Sequence, residues 1–197
     1  MIQKALKRTF DIVFSVVGLV FFAAFLPFIA FIIKLDSSGP IFFCQERVGK
    51  KGKVFKIWKF RTMAKDAEKR NFSVEQLREF EKKGGDPRVT KVGRFLRHFA
   101  LDECPQLINI LAGQMSFVGP RPVFPPRMEL NKEWEKRTAI RPGLTSLAVI
   151  KGGVSLSDEE ILRYDLEYIK KQSFWLDADI LLKTIVLYLR KINGKKI

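Results

Sequence analysis

The chain has 197 residues, 47% of them apolar and 18 of them phenylalanine, with a formal net charge of +15. That length suits one packed domain with or without a membrane anchor, and so strong a positive excess calls for an anionic partner: nucleic acid, anionic lipid or a phosphate-bearing substrate. Cys44 and Cys104 are the only cysteines and His98 is the only histidine, which excludes a disulfide framework, histidine-cluster metal sites and nearly all triad chemistry. The thiols read as reduced in a cytoplasm, and any catalysis must lean on carboxylates, Lys, Arg or a hard cation.

From Ile12 to Ile33 run 22 residues without a charge, bounded by Asp11 and Lys34. A helix of that length measures ~33 Å, about the hydrocarbon thickness of a bilayer. Pro27 lies inside the run and predicts a break between Ala23 and Pro27. Both flanks are basic: Lys4, Lys7 and Arg8 precede the run, and Lys34, Arg47, Lys50, Lys51 and Lys53 follow it. Cationic flanks prefer the cytoplasmic side, so a re-entrant helix-break-helix keeps both inside where a spanning helix would place one outside. The residues alone leave these two readings level. A cleaved signal peptide fits worse, because the run is too long and no clear cleavage site follows. A soluble buried helix fits worst, since few helices are apolar all round.

Ile41–Glu46 and Val54–Phe60 read as a β-hairpin whose loop, Arg47–Lys53, is basic and glycine-containing. Met63–Lys83 predicts a charged amphipathic helix stopped by Gly84-Gly85, and Val92–Phe99 a short basic helix. Leu107, Ile108 and Leu111 have helical spacing, with Gly113 as the stop; Pro105 tolerates only a first turn, so that helix starts near Leu101–Cys104. Gly119-Pro-Arg-Pro122 reads as a rigid loop. A helical stretch follows from Met128 to Ala139, then a turn at Arg141-Pro-Gly143 and a strand-like run, Leu144–Ile150. Ser157 with Glu160 forms a capping pattern that opens a helix to Gln172. Phe174–Ile192 is a second, largely apolar helix with a basic end, Arg190–Lys196. The fold class expected is α+β and mainly helical, with 1–35 as a membrane anchor and 36–197 as a catalytic domain.

Asp102-Glu103 opens a helix. Acids in a first turn often do no more than complement the helix dipole. Here Arg88, Lys91, Arg94, Arg97 and His98 lie upstream, and Arg121 and Arg127 downstream. Cations offset diphosphate charge, and a carboxylate pair can hold a divalent metal or attack phosphorus. An attacking carboxylate must be ionised. A helix N-terminus, arginines and a metal favour that form, and the neighbouring acid opposes it.

Six blocks carry a resemblance that runs in order along the chain. They are Glu46–Gly49, Lys59–Met63, Asp86–Arg97, Leu101–Leu107, Gly113–Pro122 and Arg141–Thr145. Together they closely resemble the bacterial sugar transferases, the monotopic phosphoglycosyl transferases. The resemblance implies a re-entrant membrane helix and a small catalytic domain on the cytoplasmic face of the bacterial inner membrane, with both termini on that face. The final helix, with Trp175, Tyr188 and Leu189 beside Lys183, Arg190 and Lys191, suits an interfacial amphipathic helix and ordinary packing against the core equally. It implies Asp102 as the nucleophile on the β-phosphate of a UDP-sugar. UMP is released, and the sugar-phosphate held on the enzyme passes to undecaprenyl phosphate in a ping-pong sequence. It further implies Glu103 as the residue associated with Mg2+. Arg97 is expected at phosphate, and Lys59, Arg88, Arg121 and Arg141 in substrate binding, with structural ion pairs as the plain alternative for those four. Membrane lipids are expected partners, nucleic acid is not, and room is left for a homodimer.

Departures from the family pattern are local. Leu26-Pro27 stands where Ser-Pro is frequent, and Ser146, Val149 and Gly153 stand where Gly, Gln and Arg are usual. The lost arginine bears on donor recognition unless Lys151 substitutes. Neither the sugar nor the pathway, among capsule, O-antigen, exopolysaccharide and glycoprotein glycan, is legible. Two competing readings remain. One is a basic adaptor or nucleic-acid binder, although no nucleic-acid motif is present. The other is a membrane-bound nucleotide-sugar phosphohydrolase. The absence of G-x-x-x-x-G-K-[ST] excludes a P-loop NTPase.

Overall fold

A computed structural model describes residues 2–67, 70, 72, 76, 79–80, 85–125 and 132–192. The chain opens with a 35-residue helix, α1 (Ile2–Asp36), in which Pro27 is internal. The expected break at Ala23–Pro27 therefore does not divide the helix. A proline removes one donor and leaves the flanking turns bonded, a defect that long apolar helices tolerate. Only 11% of the most apolar 18-residue window of α1 is buried, which sets it apart from the core helix of a soluble domain.

Its inward face is nevertheless bonded to the rest of the chain from end to end. Near the start, Lys7 Nζ donates to Val118 O and to Asp177 Oδ2 (2.6 Å), and Arg8 donates to the carbonyls of Ile110 and Leu111. Asp11, 1% exposed, accepts from Ser116 Oγ and Phe117 N. At the far end Asp36 accepts from Val92 N, while Arg61 donates to the carbonyls of Ser37 and Ser38. Between these ends Ile29 and Ile33 pack with Phe60 and Leu96. Outward, Val13, Val17, Val20, Phe21, Phe28 and Phe31 are exposed.

β1 (Phe42–Val48) pairs antiparallel with β2 (Val54–Phe60), in register from Phe42↔Phe60 to Val48↔Val54. The expected hairpin is present, with its first strand ending two residues later. Arg47 and Val48 thus leave the loop for the strand, where Val48 N also bonds Val123 O. The helix expected from Met63 does not begin there. Met63 bridges Val89 and Asp66 has a φ of 64°, so the chain turns before any helix starts; most of 68–84 lies outside the described residues.

Three short elements carry the chain to the acidic pair. α2 (Lys91–His98) is capped by Thr90, which accepts from Gly93 N; a 3-10 turn follows at Leu101–Glu103, then α3 (Gln106–Leu111). β3 (Ser116–Val118) and β4 (Gly143–Thr145) pair in parallel, a contact the sequence reading missed. Residues 126–131 lie outside the described set, so the expected helix from Met128 is seen only as a 3-10 helix, Lys132–Ala139.

The strand expected over Leu144–Ile150 is a correction. It ends at Thr145, and α4 (Leu147–Lys151) follows, because the Ser146 hydroxyl caps it by accepting from Val149 N. α5 (Asp158–Lys171) has the full capping box of Ser157 and Glu160, and α6 (Phe174–Ile192) closes the fold. Val118, Leu147, Tyr168 and Ile180 make the cluster beneath β3, while Phe55, Ile57, Ile110 and Met115 make the one beneath the hairpin.

Candidate active site

The acidic pair sits on the 3-10 turn between α2 and α3. Ala100, with a φ of 54°, reverses the chain just before it. A non-glycine residue in that left-handed region costs about 1–2 kcal/mol, so local strain is spent where the two carboxylates are presented. Their surroundings then treat them differently.

Glu103 is held by cations. Lys59, near the end of β2, donates to its Oε1 at 2.6 Å, and Arg121 from the Gly119–Pro122 loop reaches the same atom at 3.3 Å. Burial pushes the Glu103 carboxyl up, but Lys59, then Arg121 and the hydrogen bonds from Lys59 and Gln106 outweigh it, and the group ends below the usual range. Asp102 is also buried, yet among the described residues it makes no ion pair. Burial, and then the charge of Glu103, push its carboxyl above the usual aspartate range, against the opposing pull of Lys59 and Arg97. Adjacent carboxylates thus divide into one held ionised by contact and one whose ionised form is costly and electrostatically unsatisfied.

Lys59, Arg97 and Arg121 from the expected set converge on this pair, Arg97 anchored by donating from Nε to Thr62 Oγ1 at 2.8 Å. Arg88 and Arg141 do not. The Arg88 guanidinium is taken up by Asp86 at 2.7 Å and the carbonyl of Arg70. Arg141 Nε donates to Gly113 O at 2.7 Å. For these two, the plain structural reading describes the bonds they make. Arg127 lies outside the described residues.

Three residues join the site that the sequence reading did not select. Arg47 lines the same cavity as Lys59, Glu103, Gln106 and Arg121. Its guanidinium carbon stands 3.3 Å from the centroid of the Phe124 ring, and burial, with Arg121 beside it, pulls its pKa down to about 10 against the attraction of Glu103. Gln106, 2% exposed, bonds Glu103. Tyr188 of α6 is close enough for Glu103 and Asp102 to add to the upward shift that burial gives its hydroxyl. Arg47 stood inside a matched block, Glu46–Gly49, but was assigned to the basic hairpin loop. Tyr188 carried no signal, since 85 residues separate it from Glu103. Burial, then Asp102 and Glu103, raise the neighbouring Cys104 thiol to about 11, which disfavours its thiolate.

Among the described residues no three His, Cys, Asp or Glu side chains cluster. A metal here would rest on the two carboxylates of Asp102 and Glu103. That donor set fits Mg2+, which is commonly held by one or two carboxylates with water and phosphate oxygens filling the rest.

A carboxylate that makes no ion pair among the described residues, beside a clamped one and with Lys59, Arg97 and Arg121 around the two, suits an enzyme domain of the group-transfer class. The chain belongs to the bacterial sugar transferase family, whose model matches residues 2–191. It is 40% identical over 191 residues to an undecaprenyl-phosphate glucose phosphotransferase of Komagataeibacter xylinus, covering 91% of this chain and 35% of that protein. It is 39% identical over 193 residues to the UDP-glucose:undecaprenyl-phosphate glucose-1-phosphate transferase of Escherichia coli (strain K12), covering 93% of this chain and 40% of that protein. A third relative, the exopolysaccharide production protein PSS of Rhizobium leguminosarum bv. phaseoli, is 39% identical and is covered over 98% of its length, with 96% of this chain aligned. The chain thus spans well under half of the first two relatives and nearly all of the third.

Proposed function

We propose that this protein transfers a sugar-1-phosphate from a UDP-sugar to undecaprenyl phosphate and releases UMP, as a membrane step of polysaccharide synthesis. The observation that carries the reading is the unequal treatment of Asp102 and Glu103. A carboxylate that is buried, makes no ion pair among the described residues and is flanked by Lys59 and Arg97 is poised to gain from a phosphorus centre what its own surroundings withhold. In the first half-reaction an Asp102 oxygen forms a bond to the β-phosphorus. The bond from that phosphorus to the bridging oxygen breaks, and UMP departs with the electron pair. In the second, an oxygen of undecaprenyl phosphate attacks the same phosphorus, the aspartyl bond breaks and the carboxylate is regenerated. Arg97, Arg121 and Arg47 face the diphosphate, while Lys59 and Gln106 hold Glu103 still. Mg2+ at the carboxylate pair would offset diphosphate charge. The relatives named for glucose make UDP-glucose the first donor to test.

The membrane arrangement belongs to the same proposal. Residues 1–35 form an anchor that enters the bilayer from the cytoplasmic face without crossing it, its continuous helix standing where a helix-break-helix was expected, and 36–197 form a catalytic domain on that face of the inner membrane. The support is the pattern of bonds on α1. A single straight crossing would separate residues 7–11 from residues 33–36 by the ~30 Å of hydrocarbon, yet both ends are bonded to one body. Exposed Trp175, Leu182, Ile185 and Leu189 on α6 suit it to lie at the interface.

Incubating the purified protein with UDP-glucose and other UDP-sugars, with and without undecaprenyl phosphate, tests the reading. Sustained UMP release is expected only with the carrier, together with a transient phosphosugar mass on Asp102. Steady UMP release without carrier would instead mark a phosphohydrolase, which none of the family relatives described above is named for. Product formation with no mass ever found on Asp102 would overturn the covalent route, and indifference to EDTA would overturn the metal.

A further inference from the structure

Behind the loop that carries Arg121 lies a buried ion pair that the reaction does not itself use. Arg137, on the 3-10 helix Lys132–Ala139, meets Asp165 of α5 at 2.6 Å, with the two side chains 4% and 1% exposed. An aliphatic pair would fill such a place at less desolvation cost, so a buried pair suggests a role beyond stability. The second contact of Arg137 supplies one: its Nη2 donates to the backbone carbonyl of Arg121 at 3.0 Å. The guanidinium also lies over the Trp134 ring, 4.3 Å from its centroid, which fixes its plane.

The rest of the loop is fixed from other directions. Gly119 N donates to Thr145 O, Gly143 N to Pro120 O, and Val48 N to Val123 O. Of these tethers, only that from Arg137 acts on the residue whose side chain reaches Glu103. That side chain is 57% exposed and bonded at 3.3 Å, so its own contacts constrain it little.

We infer that Arg137 and Asp165 form a positioning device: Asp165 orients the guanidinium of Arg137, which holds the Arg121 backbone so that the Arg121 side chain is presented to Glu103 and the donor diphosphate. The kinetic consequence rests on the transfer reaction proposed above; the positioning itself does not.

Two measurements separate them. Arg137→Lys keeps a cation against Asp165 but gives up the planar guanidinium that lies over Trp134 and whose Nη2 meets both Asp165 Oδ2 and the Arg121 carbonyl. Hydrogen exchange of the peptide spanning residues 118–124 should quicken in that variant while α5 stays protected. Unchanged protection of the loop overturns the inference. The kinetic arm is a double-mutant cycle with Arg121→Ala, read as kcat/KM for the UDP-sugar that the wild type turns over. Arg137→Lys alone should lose ~5–10-fold, the range expected from one hydrogen bond, and should lose almost nothing further in the Arg121→Ala background. Losses that multiply would mean Arg137 acts on fold stability alone, and the inference fails. If Arg137→Lys does not fold, Asp165→Asn serves in both arms with the same expectations. A wild type that releases no UMP from any UDP-sugar sinks the transfer reaction, and the exchange result then decides the positioning by itself.

Discussion

At the scale of single residues, the division of labour between Asp102 and Glu103 has measurable consequences. The Asp102 carboxyl sits above its ordinary range in the fold. Its contribution to stability is therefore complete below the unfolded aspartate pKa, about 3.9, and is lost as pH rises through the folded value. Asp102→Asn should abolish turnover and at the same time raise Tm at pH 7, with the gap between variant and wild type closing toward pH 4. Thermal melts across that range check it, and an Asn variant less stable than wild type at neutral pH would contradict the burial argument. The same upward shift places the acid limb of kcat/KM above the pH at which an ordinary aspartate would titrate. Around Glu103, the two cations differ. The Lys59 contact is short and mostly buried, whereas the Arg121 contact is long and exposed. Removing one partner of a buried pair leaves a charge uncompensated at a cost of ~3–5 kcal/mol, while exposed pairs contribute ~0–1 kcal/mol. Lys59→Met should thus lower Tm and activity far more than Arg121→Ala lowers Tm, and equal Tm losses would refute the ranking.

Among elements, α2 depends on one close approach. At Gly93 an added Cβ would run into the backbone of Thr62, the residue whose hydroxyl also anchors Arg97. Gly93→Ala should push α2 away from the Thr62 backbone, destabilise by ~2–3 kcal/mol as overpacking does, and cut activity through Arg97. A Tm within a degree of wild type would show that the helix can shift freely. The sequence made the hairpin, α2, α5 and α6 legible because each carries a local signal, such as the alternation of Val54–Phe60 or the Ser157–Glu160 box. It placed Lys59, Arg97, Asp102, Glu103 and Arg121 in one site because their blocks resembled a family. It failed where pairing is non-local. Three-residue strands such as Ser116–Val118 and Gly143–Thr145 have no period to read, and Leu144–Ile150 looked like a strand because β-branched residues mask a serine cap. Arg88 and Arg141 were expected at substrate on motif alone, and only coordinates reveal that Asp86 and Gly113 O occupy them.

For the molecule as a whole, the apolar helix is also a wall of the core. Phe60 and Leu96 are buried against Ile29 and Ile33, and a fully buried side chain of this kind contributes about 1.5–3 kcal/mol. Labelling of single cysteines introduced at residues 3 and 38, in a background lacking Cys44 and Cys104, should succeed from the cytoplasmic side at both positions; exclusive periplasmic labelling of residue 3 would mean that α1 spans. The bonds from Lys7, Arg8, Asp11 and Asp36 leave no slack between the hydrophobic rod and the carboxylates. A domain on a leash samples a hemisphere of heights above its bilayer. This one has no leash, so on the transfer and membrane placement proposed above the fold would set the depth at which phosphorus changes hands, and a carrier headgroup would have only to diffuse sideways to be in reach.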